Sequence, residues 1–476
     1  MIDATRGFNA VATTGIYCRP GCTGRPNPGN VRKFQLAAAA EAAGYRACLR
    51  CRPYRIEPRV SSQTPALVCR AMRLILGGAL DDRKSEHDLA ARLGVSAGHL
   101  RRMFRDHVGT TPDQLARSRR AHFARRLLDE TDFTLSDVAF AAGFSSLRQF
   151  NRSMNEIFRA TPSELRARRR RGDRLVADGG FAMRLLFEPP LDWEALLGYM
   201  RAHAISGVET VSDGTYRRTI EIDGDAGVLE FSREGPDHLV LRAHLPHWEG
   251  LIHLVERARH VFNLDADAEA AQRQLASDPR IGRVLANHPG LRPPGAWDPF
   301  EIGIRAILEQ QAEAGVGTIM ERLVARHGIL VPGLQGVGLS HLFPAPSILA
   351  SAGLGRLGLT PNSISTIHAF AHSVADGALQ LDCSTDLDRF VDSVRRAVPG
   401  LQWGWADYIA LRLGEPDAFP ASDAGIEHYL SRGTKKPSLT WKFTAATADQ
   451  WRPWRAYAAT AMWFDEHQPV HQSIGV

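Results

Sequence analysis

Two closely spaced pairs of cysteines stand near the start of the chain. The first pair is Cys18 and Cys22, and the second pair is Cys48 and Cys51. Four converging thiolates can hold one Zn²⁺ with tetrahedral geometry and Zn–S distances of about 2.3 Å. The chain has 6 cysteines in total, so most of them belong to this one segment. Paired short spacings favour a zinc site over two local disulfides.

The sequence around these cysteines resembles the amino-terminal domain of the Ada methylation-damage sensors. The resemblance is carried by Thr-Thr-Gly-Ile-Tyr-Cys-Arg-Pro at 13–20, Asn-Val at 30–31, the segment 37–44, and Cys-Leu-Arg-Cys-Arg-Pro at 48–53. It implies that Cys18 accepts a methyl group from a DNA phosphotriester and that Arg25 lies near a phosphate. Ala12 departs from the family, which usually has arginine there, and the segment before Phe8 is short and divergent. The spacing alone would favour a purely structural zinc ion.

Methyl transfer to such a centre is chemically reasonable. A thiolate on zinc is deprotonated at neutral pH and remains a nucleophile. Four thiolates on one Zn²⁺ carry a charge of about −2, and methylation of one leaves about −1. The change weakens repulsion from DNA phosphates, so a chemical lesion would become an electrostatic switch for DNA binding.

Charge is distributed unevenly along the 476 residues. Residues 1–175 carry a net charge of +16, whereas residues 176–476 carry −10. The first part has the electrostatic character of a nucleic-acid binder, and the second part does not. No apolar run is long enough to span a membrane and no signal sequence is evident. Thiolate ligands also favour a reducing compartment, so we expect a cytoplasmic protein with no membrane partner.

A helix-turn-helix pattern occurs twice after the zinc segment. In the first copy Gly94 marks the turn between two apolar-faced helices, and Ser96 is a candidate N-cap of the second helix. The second copy has Gly143 at its turn, and a helix over about 115–130 joins the copies. One such pattern is weak evidence, but two joined copies resemble the DNA-binding domain of AraC-type activators. Activators of this kind imply RNA polymerase as a partner.

The resemblance predicts recognition helices over about 97–105 and 146–155, each offered to a major groove. Taken singly, each arginine on these helices is as well explained as a solvated surface charge. The residues expected to face DNA are Gly98, His99, Arg101, Arg102, Leu147, Arg148, Asn151 and Arg152. The arginine run at 166 and 168–171 fits equally a phosphate-contacting tail and a solvated linker. Residues 54–66 and 172–182 are predicted to be linkers.

The second half alternates apolar and polar residues over 184–245, which predicts a small antiparallel sheet with a helix from Trp193 to His203. Helical periodicity dominates from about 248 onward. Blocks over 184–467 resemble the AlkA type of 3-methyladenine DNA glycosylase, a helix-hairpin-helix fold. They are Pro-Pro-Leu-Asp-Trp at 189–193, Val-Glu-Thr-Val at 208–211, 289–292, 298–301, 305–310, 406–412, 417–423 and 451–457.

By this resemblance Asp423 is the catalytic aspartate. Excision of a base leaves developing positive charge on the sugar, which a fixed carboxylate stabilises. The base must first be flipped from the duplex, and a cationic alkylated purine favours an electron-rich aromatic pocket. Tyr408 and Trp463 match pocket aromatics, and Gln310 and Gln311 match the turn that fills the gap in the duplex. From the residues alone, Asp423 reads as a helix N-cap and Trp463 as core packing.

The hairpin before Tyr408 departs from the family pattern Pro-Gly-x-Gly. Here Pro399 and Gly400 are followed by Gln402 where the second glycine is expected, and Gly404 replaces a family tryptophan. Main-chain amides of such a hairpin grip a DNA phosphate, and its carbonyls hold a monovalent cation by the same resemblance. We therefore expect DNA contact at Gly400, Gln402 and Gly404, with an altered grip. Glu309 also stands where glycine usually precedes the wedge turn.

Strand-cutting and iron–sulfur relatives are excluded. The former need a lysine at the position of Gly404, and the latter need four late cysteines, whereas only Cys383 follows Cys69. The sequence therefore predicts a monofunctional glycosylase, which removes a base and leaves an abasic site.

The sequence predicts a multidomain α+β protein that senses methylation, activates transcription and excises N-alkylated purines such as 3-methyladenine. The expected parts are a four-cysteine zinc domain (1–56), an all-α double helix-turn-helix domain (67–171), a linker (172–182), a small antiparallel-sheet α/β domain (183–267) and an all-α glycosylase domain (268–476). Its DNA partners would be promoter and alkylated duplexes. Two alternatives remain. One is a transcription regulator with a degenerate glycosylase fold, and the other is an enzyme with a structural zinc and a DNA-targeting arm.

Overall fold

The fold is seen in a computed structural model, which describes residues 7–24, 26–55, 64–81, 84–175, 179–311, 315–382, 384–401, 404–432 and 441–467. The chain divides into two compact units. Unit 1 comprises Met1–Phe187 and Val240–Ala258, and unit 2 comprises Glu188–Leu239 and Arg259–Val476. No helix among the described residues is long and apolar enough to cross a membrane.

The strands are β1 (Phe8–Val11), β2 (Ile16–Cys18), β3 (Val31–Phe34), β4 (Arg46–Ala47), β5 (Phe181–Leu186), β6 (Glu209–Ser212), β7 (Thr215–Ile222), β8 (Asp225–Arg233), β9 (His238–His244), β10 (Ile329–Leu330) and β11 (His341–Leu342). The helices up to residue 261 are α1 (Ala37–Ala42), α2 (Ala66–Leu76), α3 (Glu86–Arg92), α4 (Ala97–Val108), α5 (Pro112–Glu130), α6 (Leu135–Ala141), α7 (Leu147–Phe158), α8 (Pro162–Ala167), α9 (Trp193–Ala202) and α10 (Leu251–Val261). The later helices are α11 (Ala268–Leu275), α12 (Ile281–Asn287), α13 (Pro299–Gln311), α14 (Val316–His327), α15 (Pro346–Leu349), α16 (Pro361–Ala375), α17 (Leu387–Ala397), α18 (Trp405–Arg412), α19 (Ala424–Ser431), α20 (Trp441–Ala448) and α21 (Arg455–His467).

Unit 1 begins with a four-stranded sheet in the order β3-β1-β2-β4. Strand β1 pairs antiparallel with β2 and β3, whereas β2 pairs parallel with β4. The parallel pair places Tyr17 opposite Ala47. It therefore brings the residues that follow these two positions, Cys18 and Cys48, to one end of the sheet.

Four helices of unit 1 form the two predicted helix-turn-helix copies. Helices α3 and α4 meet at Gly94, α6 and α7 meet at Gly143, and both glycines have positive φ angles, +71° and +77°. Left-handed backbone of this kind favours glycine because it lacks a Cβ. Ser96 caps α4 as predicted, since its hydroxyl accepts a hydrogen bond from the His99 amide. Helix α5 joins the copies.

The zinc segment and the helices share a hydrophobic core. Leu36, Ala38 and Ala39 from the first segment are buried in one cluster with residues of α2, α3, α4 and α5. Burial of apolar surface stabilises such a cluster by about 25 cal/mol per Å². The zinc segment and the helical segment, which the sequence presents as separate domains, therefore pack within one unit.

The predicted linker at 54–66 differs from the structure at its first residues. Tyr54 is buried and donates a hydrogen bond of 2.9 Å from its hydroxyl to Asp129 on α5. Arg55 lies 2.9 Å from Asp173, and Arg52 reaches the same carboxylate at 2.5 Å. Asp173 falls in the second predicted linker. Proline content marked the first of these segments as a helix break, but the local sequence of neither segment could show that their charged side chains pair with each other.

Three arginines of the run make contacts within the protein itself. Arg166 donates to the Phe133 carbonyl at 2.5 Å, and Arg169 contacts Asp132 at 2.7 Å. Arg170 donates to the Arg50 carbonyl at 3.4 Å. These three residues are thus held by internal contacts, and contact with phosphate stays a prediction.

Unit 2 contains the antiparallel strands β6, β7 and β8, followed by helices. Helix α9 covers most of the helix that the sequence predicts from Trp193 to His203. Asp192 is its N-cap, and the Asp192 side chain accepts a hydrogen bond from the Ala195 amide. A buried ion network ties the sheet to α13: Arg218 on β7 bonds Glu301 with two contacts of 2.7 and 2.9 Å. Paired and hydrogen-bonded in this way, the charges can remain buried.

Candidate functional sites

The four cysteines form the one group among the described residues with the spacing of a metal site. Their sulfur atoms all lie within 4.8 Å of one another. A tetrahedral zinc ion needs sulfur atoms about 3.8 Å apart, given Zn–S distances of about 2.3 Å. Cys18 ends β2, Cys48 follows β4 directly, and the Cys48 amide donates to the Tyr17 carbonyl at 3.0 Å. The residues therefore fit Zn²⁺.

The strand that carries Cys18 is anchored from its buried side. The hydroxyl of Tyr17 donates to Glu41 on α1 at 2.6 Å and lies 3.2 Å from the ring of His122 on α5. Glu41 and His122 also contact each other at 2.7 Å. Cys18 remains partly exposed. Arg25 lies outside the described residues.

The predicted DNA-facing residues lie on α4 and α7. Arg101, Arg102, Arg148, Asn151 and Arg152 are exposed, and His99 is partly exposed. Gly98 and Leu147 are exposed at the first turns of the same helices.

Several of these side chains have partners within the protein. Arg101 pairs with Glu86 on α3, and Arg152 lies 3.7 Å from Glu156. Asn151 donates to the Leu147 carbonyl at 2.9 Å. Contact with DNA would exchange these partners for phosphate or base edges.

In unit 2 Asp423 both caps a helix and contacts an aromatic residue. Its Oδ1 accepts a hydrogen bond of 2.9 Å from the Ile426 amide, as the N-cap of α19. The same oxygen accepts 3.0 Å from Nε1 of Trp463 on α21. The N-cap interpretation of Asp423 is confirmed, and its catalytic role stays a prediction. Two donors on one oxygen fix the direction of the carboxylate.

The ring of Trp463 belongs to a cluster of aromatic residues. The Trp463 ring lies 6.1 Å from Tyr408 in an edge-on arrangement and 6.2 Å from Tyr199 on α9. Arg412 donates to the hydroxyls of Tyr408 and Tyr199 at 3.1 and 3.0 Å. Burial raises the pKa of Tyr408 well above its ordinary value. Tyr199 and Arg412 were not among the predicted site residues, although Arg412 lies inside one of the sequence blocks and could have been found there.

Glu309 turns toward the same region rather than toward solvent. It lies in the last turn of α13, 3.6 Å from Arg305. Burial raises the pKa of Glu309, and the nearby charge of Asp423 raises it further, while Arg305 and Arg412 act in the opposite direction. Gln310 and Gln311 end α13, and their side chains lie outside the described part.

The hairpin before Tyr408 contains two glycines with left-handed backbone. Gly400 has φ +99°, and Gly404 has φ +95° and is the N-cap of α18. Gln402 lies outside the described residues. The helix that carries Tyr408 thus begins at a glycine. This glycine is Gly404, whereas the family pattern has its second glycine at the position that Gln402 occupies here.

Comparisons with known proteins define the class to which the two units belong. Three family models match the chain: the metal binding domain of Ada at residues 4–54, a helix-turn-helix domain at 89–168, and the AlkA N-terminal domain at 182–298. The 3-methyladenine DNA glycosylase from Archaeoglobus fulgidus shares the fold of the second part, with a TM-score of 0.52 at 18% identity over 60% of this chain and 97% of that chain.

Two relatives extend this result. The "Probable bifunctional transcriptional activator/DNA repair enzyme AlkA" of Mycobacterium tuberculosis is 39% identical over 97% of this chain and 93% of its own length. The DNA-3-methyladenine glycosylase 2 of Escherichia coli is 29% identical over 59% of this chain and 96% of its own length. The chain belongs to the family of AlkA proteins that join Ada-type metal-binding and helix-turn-helix domains to a glycosylase. The predicted multidomain α+β fold class is confirmed.

Proposed function

We propose that this chain is a methylation-activated transcription activator and a monofunctional DNA glycosylase that removes N-alkylated purines such as 3-methyladenine. The observation that supports the glycosylase activity is the placement of Asp423. Two hydrogen bonds orient its carboxylate beside a cluster of buried aromatic rings. The nearly full-length relative supports the combination, because its name describes both activities.

In the glycosylase reaction the bond between the sugar C1′ and the base nitrogen breaks. The Asp423 carboxylate stabilises the positive charge that develops on the sugar. Water adds its oxygen to C1′, one water proton is released, and the base leaves with the bonding electron pair. An alkylated purine is cationic, so it leaves readily and is attracted by the faces of Tyr408 and Trp463. Gln310 and Gln311 would belong to the turn that fills the gap left in the duplex by the flipped base. Gly400, Gln402 and Gly404 would contact the DNA phosphates, and a monovalent cation would bind at the hairpin.

The sensor reaction takes place at the cysteine cluster. A bound Zn²⁺ would keep the four sulfurs as thiolates. The Cys18 sulfur attacks the methyl carbon of a phosphotriester, a S–C bond forms, and the C–O bond breaks. The phosphate oxygen keeps the electron pair, so the DNA returns to an ordinary diester. Loss of one negative charge at the centre then strengthens binding by His99, Arg101, Arg102, Arg148, Asn151 and Arg152, with Arg25 near phosphate. RNA polymerase is the proposed partner at promoters, and the cytoplasm is the proposed location.

Replacement of Asp423 tests the enzyme. We expect the full chain to release 3-methyladenine from an alkylated duplex, and Asp423→Asn to lower the single-turnover rate by about 10²-fold or more. Glu427→Gln is the matched control, because Glu427 lies one turn into α19 and its pKa is raised by burial and by Asp423, yet it has no proposed role. Equal rates for wild type and Asp423→Asn would refute the catalytic assignment.

The alternative of a pure regulator predicts no base release from a folded, DNA-binding wild type. The geometry gives no support to a degenerate site, because Asp423, Trp463 and Tyr408 lie together. The alternative of a structural zinc predicts no methyl on Cys18 after incubation with methylphosphotriester DNA.

A further inference from the structure

The start of α18 packs directly against the segment that precedes Asp423. A Cβ atom built on Gly404 would lie 2.4 Å from Oγ of Ser422, 2.8 Å from the Ser422 amide nitrogen and 3.2 Å from the Ala421 amide nitrogen. Two of these three neighbours are backbone atoms, which cannot move away by a change of rotamer. Any side chain at position 404 must therefore displace the segment that leads into Asp423.

A second contact ties the same two pieces together. Asp407, in the first turn of α18, accepts a hydrogen bond of 3.5 Å from the Phe419 amide. The segment after Phe419 is tightly wound, since the Ala421 amide donates to the Phe419 carbonyl at 2.8 Å and the Asp423 amide donates to the Pro420 carbonyl at 3.0 Å. A displacement at Ser422 would therefore pass directly to Asp423.

We propose that Gly404 is a positioning residue for Asp423: its missing side chain lets α18 close on Ser422 and fixes the carboxylate relative to Tyr408. The inference rests on the proposed catalytic role of Asp423. Tyr408 lies one turn along α18, and its amide donates to the Gly404 carbonyl at 2.9 Å. The start of α18 thus determines the positions of both Tyr408 and the Asp423 carboxylate.

This role also explains the departure from the family pattern. A tryptophan or a lysine at position 404 would collide with Ser422 in this packing. In this packing the glycine is therefore required at position 404. The buried Ser422 hydroxyl, for which no partner is found among the described residues, fills the space that a Cβ would need.

Two alanine variants of the full chain separate the contact from the backbone conformation. Gly404→Ala introduces the collision, whereas the control Gly333→Ala introduces similar backbone strain, because Gly333 has φ +85° but nothing within 4 Å of its Cβ position. We expect Gly404→Ala to lower the single-turnover rate of base excision from bound duplex by about 10²-fold. We expect Gly333→Ala to change that rate by less than about 2-fold at a comparable loss of thermal stability.

A double variant protects the test against simple misfolding. Ser422→Gly removes the nearest colliding atom, so Gly404→Ala/Ser422→Gly should recover part of the lost rate, while Gly333→Ala/Ser422→Gly should gain nothing. An equal rate for Gly404→Ala and Gly333→Ala would overturn the proposal, and so would the absence of any recovery in a folded double variant.

A spectroscopic readout distinguishes this inference from the proposed function. The Trp463 indole N–H bonds Asp423, so its ¹⁵N–¹H signal reports the position of the carboxylate without catalysis. Gly404→Ala should shift this signal and Gly333→Ala should not. If the wild type releases no base, the glycosylase proposal fails but the signal still tests the positioning. If the wild type releases base and the signal stays in place, the positioning proposal alone fails.

Discussion

At the scale of single residues, the indole of Trp463 is the most direct support of Asp423. Its ring lines the aromatic cluster and its Nε1 orients Oδ1 at 3.0 Å. The sequence left core packing and a pocket role evenly balanced for this residue. In the structure Trp463 is buried against other aromatic rings and its N–H bonds the Asp423 carboxylate, whereas its pocket role stays a prediction.

Replacement of Trp463 by phenylalanine keeps a ring and removes the hydrogen bond. We expect Trp463→Phe to lower the excision rate by about 10-fold, because the carboxylate loses one of two orienting donors. Trp451→Phe is the matched control, since Nε1 of Trp451 donates to Asp278 at 2.9 Å elsewhere in unit 2. Equal losses in the two variants, measured by single-turnover base release, would show that only general packing is affected.

At the scale of elements, α18 joins the hairpin to the segment before Asp423. Its residue Asp407 is half-buried, and desolvation of its carboxyl raises the pKa of Asp407 to about 6, with Asp388 and Asp417 contributing and the Phe419 amide and Arg455 opposing. The folded pKa lies above the value of 3.8 for an unperturbed carboxyl. The folded state therefore binds the proton more tightly, and stability is fully present below pH 3.8 and falls as the pH rises through 6.

Asparagine at position 407 should remove this pH dependence. Its side-chain oxygen can still accept from Phe419, but it carries no charge to bury. We expect Asp407→Asn to raise the free energy of unfolding at pH 8 by up to about 3 kcal/mol and to change it little at pH 4. Urea unfolding at both pH values measures the effect, and Asp225→Asn, at an exposed residue that begins β8, is the control. A lower free energy of unfolding for Asp407→Asn than for the wild type at pH 8 would contradict this prediction, because it would mean that the Asp407 carboxylate stabilises the fold.

The sequence could predict elements where local signals are strong. Gly94, Gly143 and Ser96 mark turns and a cap by their own chemistry, and the structure has them in those places. Local signals fail where long-range pairing decides. Asp173 and Arg55 look like linker residues along the chain, yet they pair across more than a hundred residues. The same holds for Gly404, whose role depends on Ser422.

At the scale of the whole molecule, the net charge of residues 1–175 does not show which arginines are available to DNA. Helix α5 is largely buried although it is rich in arginine, and Arg120 and Arg125 pair with Asp81 and Asp129. The field that DNA meets must come from exposed arginines such as those on α4 and α7. The sequence could count the charges but could not say which of them are buried.

Removal of Arg148 tests this distribution. Its side chain is exposed on the first turn of α7, so Arg148→Ala should weaken promoter binding. If Arg148 contacts a phosphate, the slope of log affinity against log salt should fall by about 1. Arg273→Ala, an exposed residue paired with Glu269 in unit 2, is the control. Identical salt slopes for Arg148→Ala and the control would remove Arg148 from the interface.

The central claim is that one chain carries out both reactions, and one sample can test it. The zinc-loaded chain is incubated with duplex DNA treated with a methylating agent, which contains methylphosphotriesters and 3-methyladenine together. Mass spectrometry of the mixture should find one methyl group on the peptide with Cys18 and free 3-methyladenine in solution. Cys18→Ala should lose the first product alone, and Asp423→Asn should lose the second alone. A wild-type chain that yields only one product, or neither, would contradict the account.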